Sequence, residues 1–156
     1  IDSEDRLDLW LLDLQQLELI HEKTRAPELE FTFKHALAQQ AIYESILVER
    51  RRELHRAVGK CIETIFASRL DEFSGLLAYH YASGEDWPKA QEFLLKAGDQ
   101  AGQIAADAEA LSHYRRAMDA CTRAFGDKWD QSDRAVLTRK IGEAFFKRGD
   151  HEHACE

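Results

Sequence analysis

The side chains able to do chemistry stand in a few short clusters. His151-Glu152-His153-Ala154-Cys155 sets a histidine and a cysteine one helical turn apart, a spacing that lets both reach one metal ion from the same helix face. Two ligands do not close a zinc shell, and the H-E-x-x-H pattern fails because Cys155 stands where the second histidine belongs, so no metal is expected. Glu49-Arg50-Arg51-Arg52-Glu53, with His55, Arg56 and Lys60, makes a basic helical face of the kind that grips phosphate or DNA. Carboxylates are interleaved with it, and its guanidinium groups are expected to meet Glu44, Glu53 or the acidic N-terminal helix instead. No Ser-His-Asp or Cys-His constellation stands out, and no G-x-x-x-x-G-K-[ST] phosphate loop occurs. The chain is therefore expected to carry no catalytic residues and not to be an enzyme. Trp10, Trp87 and Trp129 remain as anchors for a partner. Trp87 precedes Pro88 and reads as packing at a helix start, whereas Trp129, among Asp127, Lys128 and Asp130, reads as exposed.

Composition narrows the partners. A net charge of −8 over 156 residues disfavours nucleic acid, whose phosphates select basic surfaces. Cys61, Cys121 and Cys155 form no C-x-x-C pair, and their odd number fits reduced thiols in a cytoplasmic setting. No segment approaches the roughly 20 apolar residues of a membrane span, and no secretory signal opens the chain, so no membrane partner is expected.

The elements that would position these residues follow from periodicity. Leu7, Trp10, Leu11, Leu14 and Leu17 predict a helix over about Ser3–Gln16, capped by Ser3. Leu17–His21 and Leu29–Phe33 alternate apolar and polar around Thr24-Arg25-Ala26-Pro27 and predict a β-hairpin. Helical period then returns over His35–Leu47, with Leu37, Ile42, Tyr43 and Ile46 inward, and over about Val48–Ala67, with Leu54, Val58, Ile62 and Ile65 inward. His35 would cap the first of these or pack between the hairpin and the Arg51-Arg52 helix. Asp71 or Glu72 opens a helix that stops near Ser83-Gly84. Asp86-Trp87-Pro88 starts one to about Ala105, with Asp as cap and Pro in the first turn. Asp107 caps the next, to about Phe125, and Asp130 or Ser132 starts a last helix to Arg148 that Gly149-Asp150 turns.

Small and aromatic residues recur in one order through this half. Gly98, Ala101, Ala110, Tyr114 and Ala117 have counterparts in Ala78, Tyr81, Ala90, Leu94 and Ala97, and in Gly142, Phe145 and Ala154. Tiny residues at matched phases let helices approach closely, and an aromatic one turn on fills the groove beside them. Gly149-Asp150 then marks the turn of the last copy. Ala78 and Gly98 stand closer than the about 34 residues of a helix-turn-helix repeat, so the first two copies must share one helix near Phe93–Ala101. Gly98 and Gly142 stand further apart, which places a longer loop around Trp129. The third copy breaks off in the first turn of a helix at Glu156, and the sequence is expected to be part of a longer protein.

The run from Ile141 through Gly142, Phe145 and Gly149-Asp150 to Ala154 resembles the tetratricopeptide repeat. Upstream, Phe31-x-Phe33-Lys34-His35-Ala36-Leu37, Ala41-x-Tyr43-Glu44-Ser45-x-Leu47, Arg51-Arg52-x-Leu54-His55 and Leu77-Ala78-x-His80-Tyr81 resemble the segment that joins a winged helix to helical repeats in bacterial STAND-type signal-transduction ATPases. With Lys96–Ala101 and Ala108–Ala117, the wording looks most like multidomain class III adenylate or guanylate cyclases carrying such an ATPase. The resemblance implies a mainly all-α chain in two parts. Residues 1–67 would be a small winged-helix-like unit with a short β-hairpin, and 68–156 a tetratricopeptide-like helical array, or superhelix. It implies a non-catalytic regulatory and protein-interaction role in a cyclase-linked ATPase. The alternatives are the same linker in a STAND-type transcriptional activator, or a free-standing scaffold. Partners would be a protein, a peptide or neighbouring domains, and the exposed repeat end would offer a homodimer contact. ATP or ADP would belong to the parent alone, where His35, at a helix N-terminus, would touch a nucleotide phosphate.

Overall fold

The computed structural model describes residues 3–24 and 29–149. Among them the chain is mainly helical, 81% helix with seven α-helices, and carries one small two-stranded antiparallel sheet. It divides into two compact units, Ile1–Leu47 and Val48–Glu156.

In the first unit α1 spans Ser3–Gln16, with the bounds its periodicity predicts. The chain does not turn directly into a strand. The N–H groups of Leu17, Glu18 and Leu19 still bond back to Asp13, Gln15 and Leu14, and Glu18 takes a left-handed conformation at φ 58°. That helix end consumes the residues expected to begin the hairpin. β1 (Ile20–Thr24) and β2 (Glu30–Phe33) pair antiparallel with Ile20 opposite Phe33 and Glu22 opposite Phe31, and an irregularity follows between Glu22 and Thr24. The expected turn at Arg25-Ala26-Pro27 lies outside the described residues. α2 (Ala36–Ser45) follows, and here the expectation fails. Leu37, Ile42 and Tyr43 are exposed rather than inward, and Ile46 is only half-buried, because the helix touches little beyond β2.

The second unit holds α3 (Val48–Ile65), a 3-10 turn (Ala67–Phe73), α4 (Ser74–Ser83), α5 (Trp87–Gln103), α6 (Asp107–Phe125), a second 3-10 turn (Gly126–Lys128) and α7 (Gln131–Arg148). Each helix packs chiefly on the one before and the one after it in the chain. One continuous core runs from Ile62 to Phe145, with Leu77, Phe93, Leu94 and Leu111 almost wholly enclosed.

Local chemistry explains most boundaries. The Asp86 carboxylate accepts the Lys89 N–H at 3.3 Å with Pro88 in the first turn, and the Asp130 carboxylate accepts the Ser132 N–H at 2.7 Å. Two expectations change. Ala106, not Asp107, occupies the cap position of α6, and Asp107 sits in its first turn, where a negative charge complements the helix dipole. α4 opens at Ser74, because Asp71 and Glu72 are taken up in the 3-10 turn, whose Asp71 carbonyl accepts the Ser74 hydroxyl at 2.9 Å. α3 buries His55, Gly59 and Ile62, while Leu54, Val58 and Ile65 face outward.

Candidate interaction surface

The reason α3 turns that face inward is Gly59. A Cβ placed there would lie 3.0 Å from Cζ of Tyr81, so the absence of a side chain lets the α4 ring lie close against the α3 backbone. The Tyr81 hydroxyl donates to the carboxylate of Glu63, one turn beyond Gly59, and Lys89 of α5 donates to the same carboxylate at 2.6 Å. The Lys89 ammonium also stands 5.7 Å from the centre of the Tyr81 ring.

The same set recurs two helices later. Gly98 of α5 faces Tyr114 of α6, where a Cβ would come within 2.5 Å of Cε1. The Tyr114 hydroxyl donates to Asp99 at 2.8 Å, Lys140 of α7 donates to the same oxygen, and its ammonium stands 5.7 Å from the Tyr114 ring centre. Thus glycine and carboxylate lie on one helix, tyrosine on the next and lysine on the one after. α3–α4–α5 and α5–α6–α7 repeat this arrangement with α5 shared, one helix out of step with the sequence copies, which match Tyr114 to Leu94 and not to Tyr81.

The electrostatics make the α3–α4–α5 set a clamp rather than a proton-transfer site. Burial, then the bond to Glu63, pushes the Tyr81 phenol well above its ordinary range, and burial and Asp99 do the same to Tyr114. For Glu63, burial opposes ionisation, but the bonds from Lys89 and Tyr81 outweigh it and hold the carboxyl below its usual value. The Glu63 bond raises Lys89 against its partial burial. Phenol and ammonium keep their protons at neutral pH, and the carboxylate keeps its charge.

The repeat residues read from sequence lie in this frame. Ala78, Tyr81, Ala90, Ala97, Gly98, Ala101, Ala110, Tyr114, Ala117 and Phe145 are buried. Gly142 is half-buried, Gly149 turns the chain at φ 83°, and Ala154 lies outside the described residues. Gly59, Glu63, Lys89, Asp99 and Lys140 were not singled out as a set, since their pairing joins positions far apart in sequence. The Gly98-Asp99 and Gly142-Glu143 pairs were the one local signal that could have pointed to the carboxylate.

The other candidates are dispersed. His35 occupies the cap position of α2, as one reading expects, but it is exposed and its side chain makes no capping bond. In the basic face Arg50 pairs with Glu53 at 2.8 Å, and Arg52 pairs with Glu49 and Glu85, each at 2.6 Å. Next to it, Nδ1 of His55 lies 3.0 Å from Nδ1 of His80, with the Tyr79 ring edge-on to both. Burial above all lowers both histidine pKa values, helped by Arg51 at His55 and by His55 at His80. Trp10 is exposed with Arg6 over its ring, and Trp87 is half-buried under Arg123. Trp129 is half-buried against the core rather than exposed, because the 3-10 turn before it folds the loop back. The His151–Cys155 cluster lies outside the described residues, among which no group of three or more potential metal ligands occurs. No helix among the described residues is long and apolar enough to cross a membrane. The chain matches no known protein family, no curated protein and no solved structure.

Proposed function

We propose that the second unit is a tetratricopeptide-like helical stack whose task is to hold another protein segment, and that the whole chain is a regulatory, non-catalytic part of a cyclase-linked STAND-type ATPase. The observation that carries the stack is the twice-built clamp. A glycine–tyrosine–carboxylate–lysine set with a period of two helices is what a repeat produces when each unit contacts only its neighbours. Because lysines bridge α3 to α5 and α5 to α7, these helices form one wall, and a wall of alternate helices is the surface such stacks offer to a peptide. The cyclase assignment rests on the resemblance of Phe31–Leu37, Ala41–Leu47, Arg51–His55 and Leu77–Tyr81 to that family.

The experiment is to read the encoding gene outward from Ile1 and Glu156 and to assay the purified chain with ATP and magnesium. A cyclase domain and a phosphate-loop ATPase in the same reading frame, with no cyclic nucleotide or ADP produced by residues 1–156 alone, is the expected result. A DNA-binding helix-turn-helix domain in place of the cyclase would move the assignment to a STAND transcriptional activator. Turnover by the isolated chain would overturn the non-catalytic reading.

A further inference from the structure

α5, α6 and the start of α7 enclose a cleft of about 150 Å³. Leu95, Val136, Leu137 and the Trp129 ring wall it, the buried Cys121 stands among its lining residues, and Gln91 and Asp133 supply polar atoms. An apolar cavity of about this size admits a single benzene ring, and small-molecule pockets start near 300 Å³, so the occupant is one side chain and not a cofactor. Asp133 lies in the first turn of α7, exposed, and pairs with no basic group among the described residues. Arg134 lies over Trp129, and Lys140 is held by Asp99. The Asp133 charge reaches the Cys121 thiol, which burial chiefly pushes up to about 11, so the carboxylate acts on the cleft and not only on open solvent.

We propose that this cleft receives a lysine side chain of a partner polypeptide, its four-carbon stem between Leu95, Trp129 and Val136 and its ammonium on the Asp133 carboxylate. The inference deepens the protein-binding reading and rests on it. An apolar slot of this size with one unpaired carboxylate among its lining residues matches a flexible aliphatic stem that ends in a positive charge, and the compact ammonium of lysine is slimmer than a planar guanidinium. The acidic chain as a whole draws cationic partners toward it.

The test titrates the whole chain with three blocked pentapeptides, Ala-Ala-X-Ala-Ala with X as lysine, norleucine or glutamate, following the indole N–H resonance of Trp129, assigned by Trp129→Phe. The lysine peptide should move that resonance and bind about three to five times more tightly than the norleucine peptide, with glutamate weakest. Asp133→Asn should abolish the preference for lysine over norleucine and leave norleucine binding unchanged. Equal binding of lysine and norleucine peptides, a lysine preference that survives Asp133→Asn, or no response to any of the three overturns the site. None of these outcomes bears on the repeat reading, which the gene context and the turnover assay decide separately.

Discussion

Gly98 has no room for even a methyl group. A Cβ there would stand 2.5 Å from the Tyr114 ring, against 3.0 Å for the closest approach at Gly59, so something must shift in the first case and only yield slightly in the second. Gly98→Ala is expected to cost about 1–3 kcal/mol by overpacking, and Gly59→Ala less, measured by urea unfolding. Tyr114→Phe keeps the ring in place and removes its bond to Asp99, and should cost about 0.5–1.5 kcal/mol. Equal losses for the two glycine variants would contradict the geometry. The His55–His80 contact sets a pH dependence. A neutral pair shares one proton in an N–H···N bond, whereas two imidazolium rings at that distance, beside Arg51, repel. Both folded pKa values lie below the unfolded value of about 6.5, so the unfolded chain binds more protons. The stabilisation is present above pH 6.5 and drains away as the pH falls toward 5. Thermal melts from pH 7.5 to 5 should show this decline, and His80→Asn should lessen it, leaving the part that burial and Arg51 impose on His55. Of these residues the sequence made Gly98 and Tyr114 legible, because small and aromatic types recur at matching phases. The lysines and carboxylates stayed hidden, since an ion pair between α5 and α7 leaves no local period.

Helix starts in the second unit were readable where a side chain does the capping, as at Asp86 and Asp130, and shifted where the backbone does it alone, as at Ala106. Faces were harder. On α3 a count of apolar residues selects Leu54, Val58 and Ile65, but the close approach of Tyr81 selects the face bearing Gly59 and carries His55 inward with it. The turns show a similar reversal. Between α4 and α5 glycine was the natural residue for a left-handed conformation, yet Gly84 is right-handed at φ −82° and Glu85 takes φ 55°. Gly84 is needed instead for closeness, as a Cβ would meet the Arg56 Cγ at 2.7 Å. Between α5 and α6, Ala105 holds φ 57° with no glycine to help. Relief of about 1–2 kcal/mol of left-handed strain exceeds the about 0.4–1 kcal/mol that glycine adds in unfolded-chain entropy. Ala105→Gly should therefore stabilise the protein by about 0.5 kcal/mol and raise its melting temperature. A lower melting temperature would mean that the turn is not strained.

At the scale of the whole chain the two units differ in what holds them. The second unit has an unbroken core from Ile62 to Phe145, with each helix covered by its neighbours. The first unit, Ile1–Leu47, has Ile20 as its single buried hydrophobic side chain among the described residues, while Leu7, Trp10, Leu12 and Leu37 are exposed. A segment this short buries too small a share of its surface to offset the entropy of ordering its chain, since domains near 40 residues ordinarily need disulfides, a metal or a partner. Folding of the first unit is therefore expected to depend on apolar cover beyond what its described residues provide. Residues 48–156 expressed alone should melt in one cooperative calorimetric transition, whereas residues 1–47 alone should show helical circular dichroism that fades gradually on heating, without a heat-capacity peak. A sharp transition from the isolated 1–47 segment would place a core where the burial pattern has none, and a gradual melt of 48–156 would mean that the stacked helices do not stabilise one another.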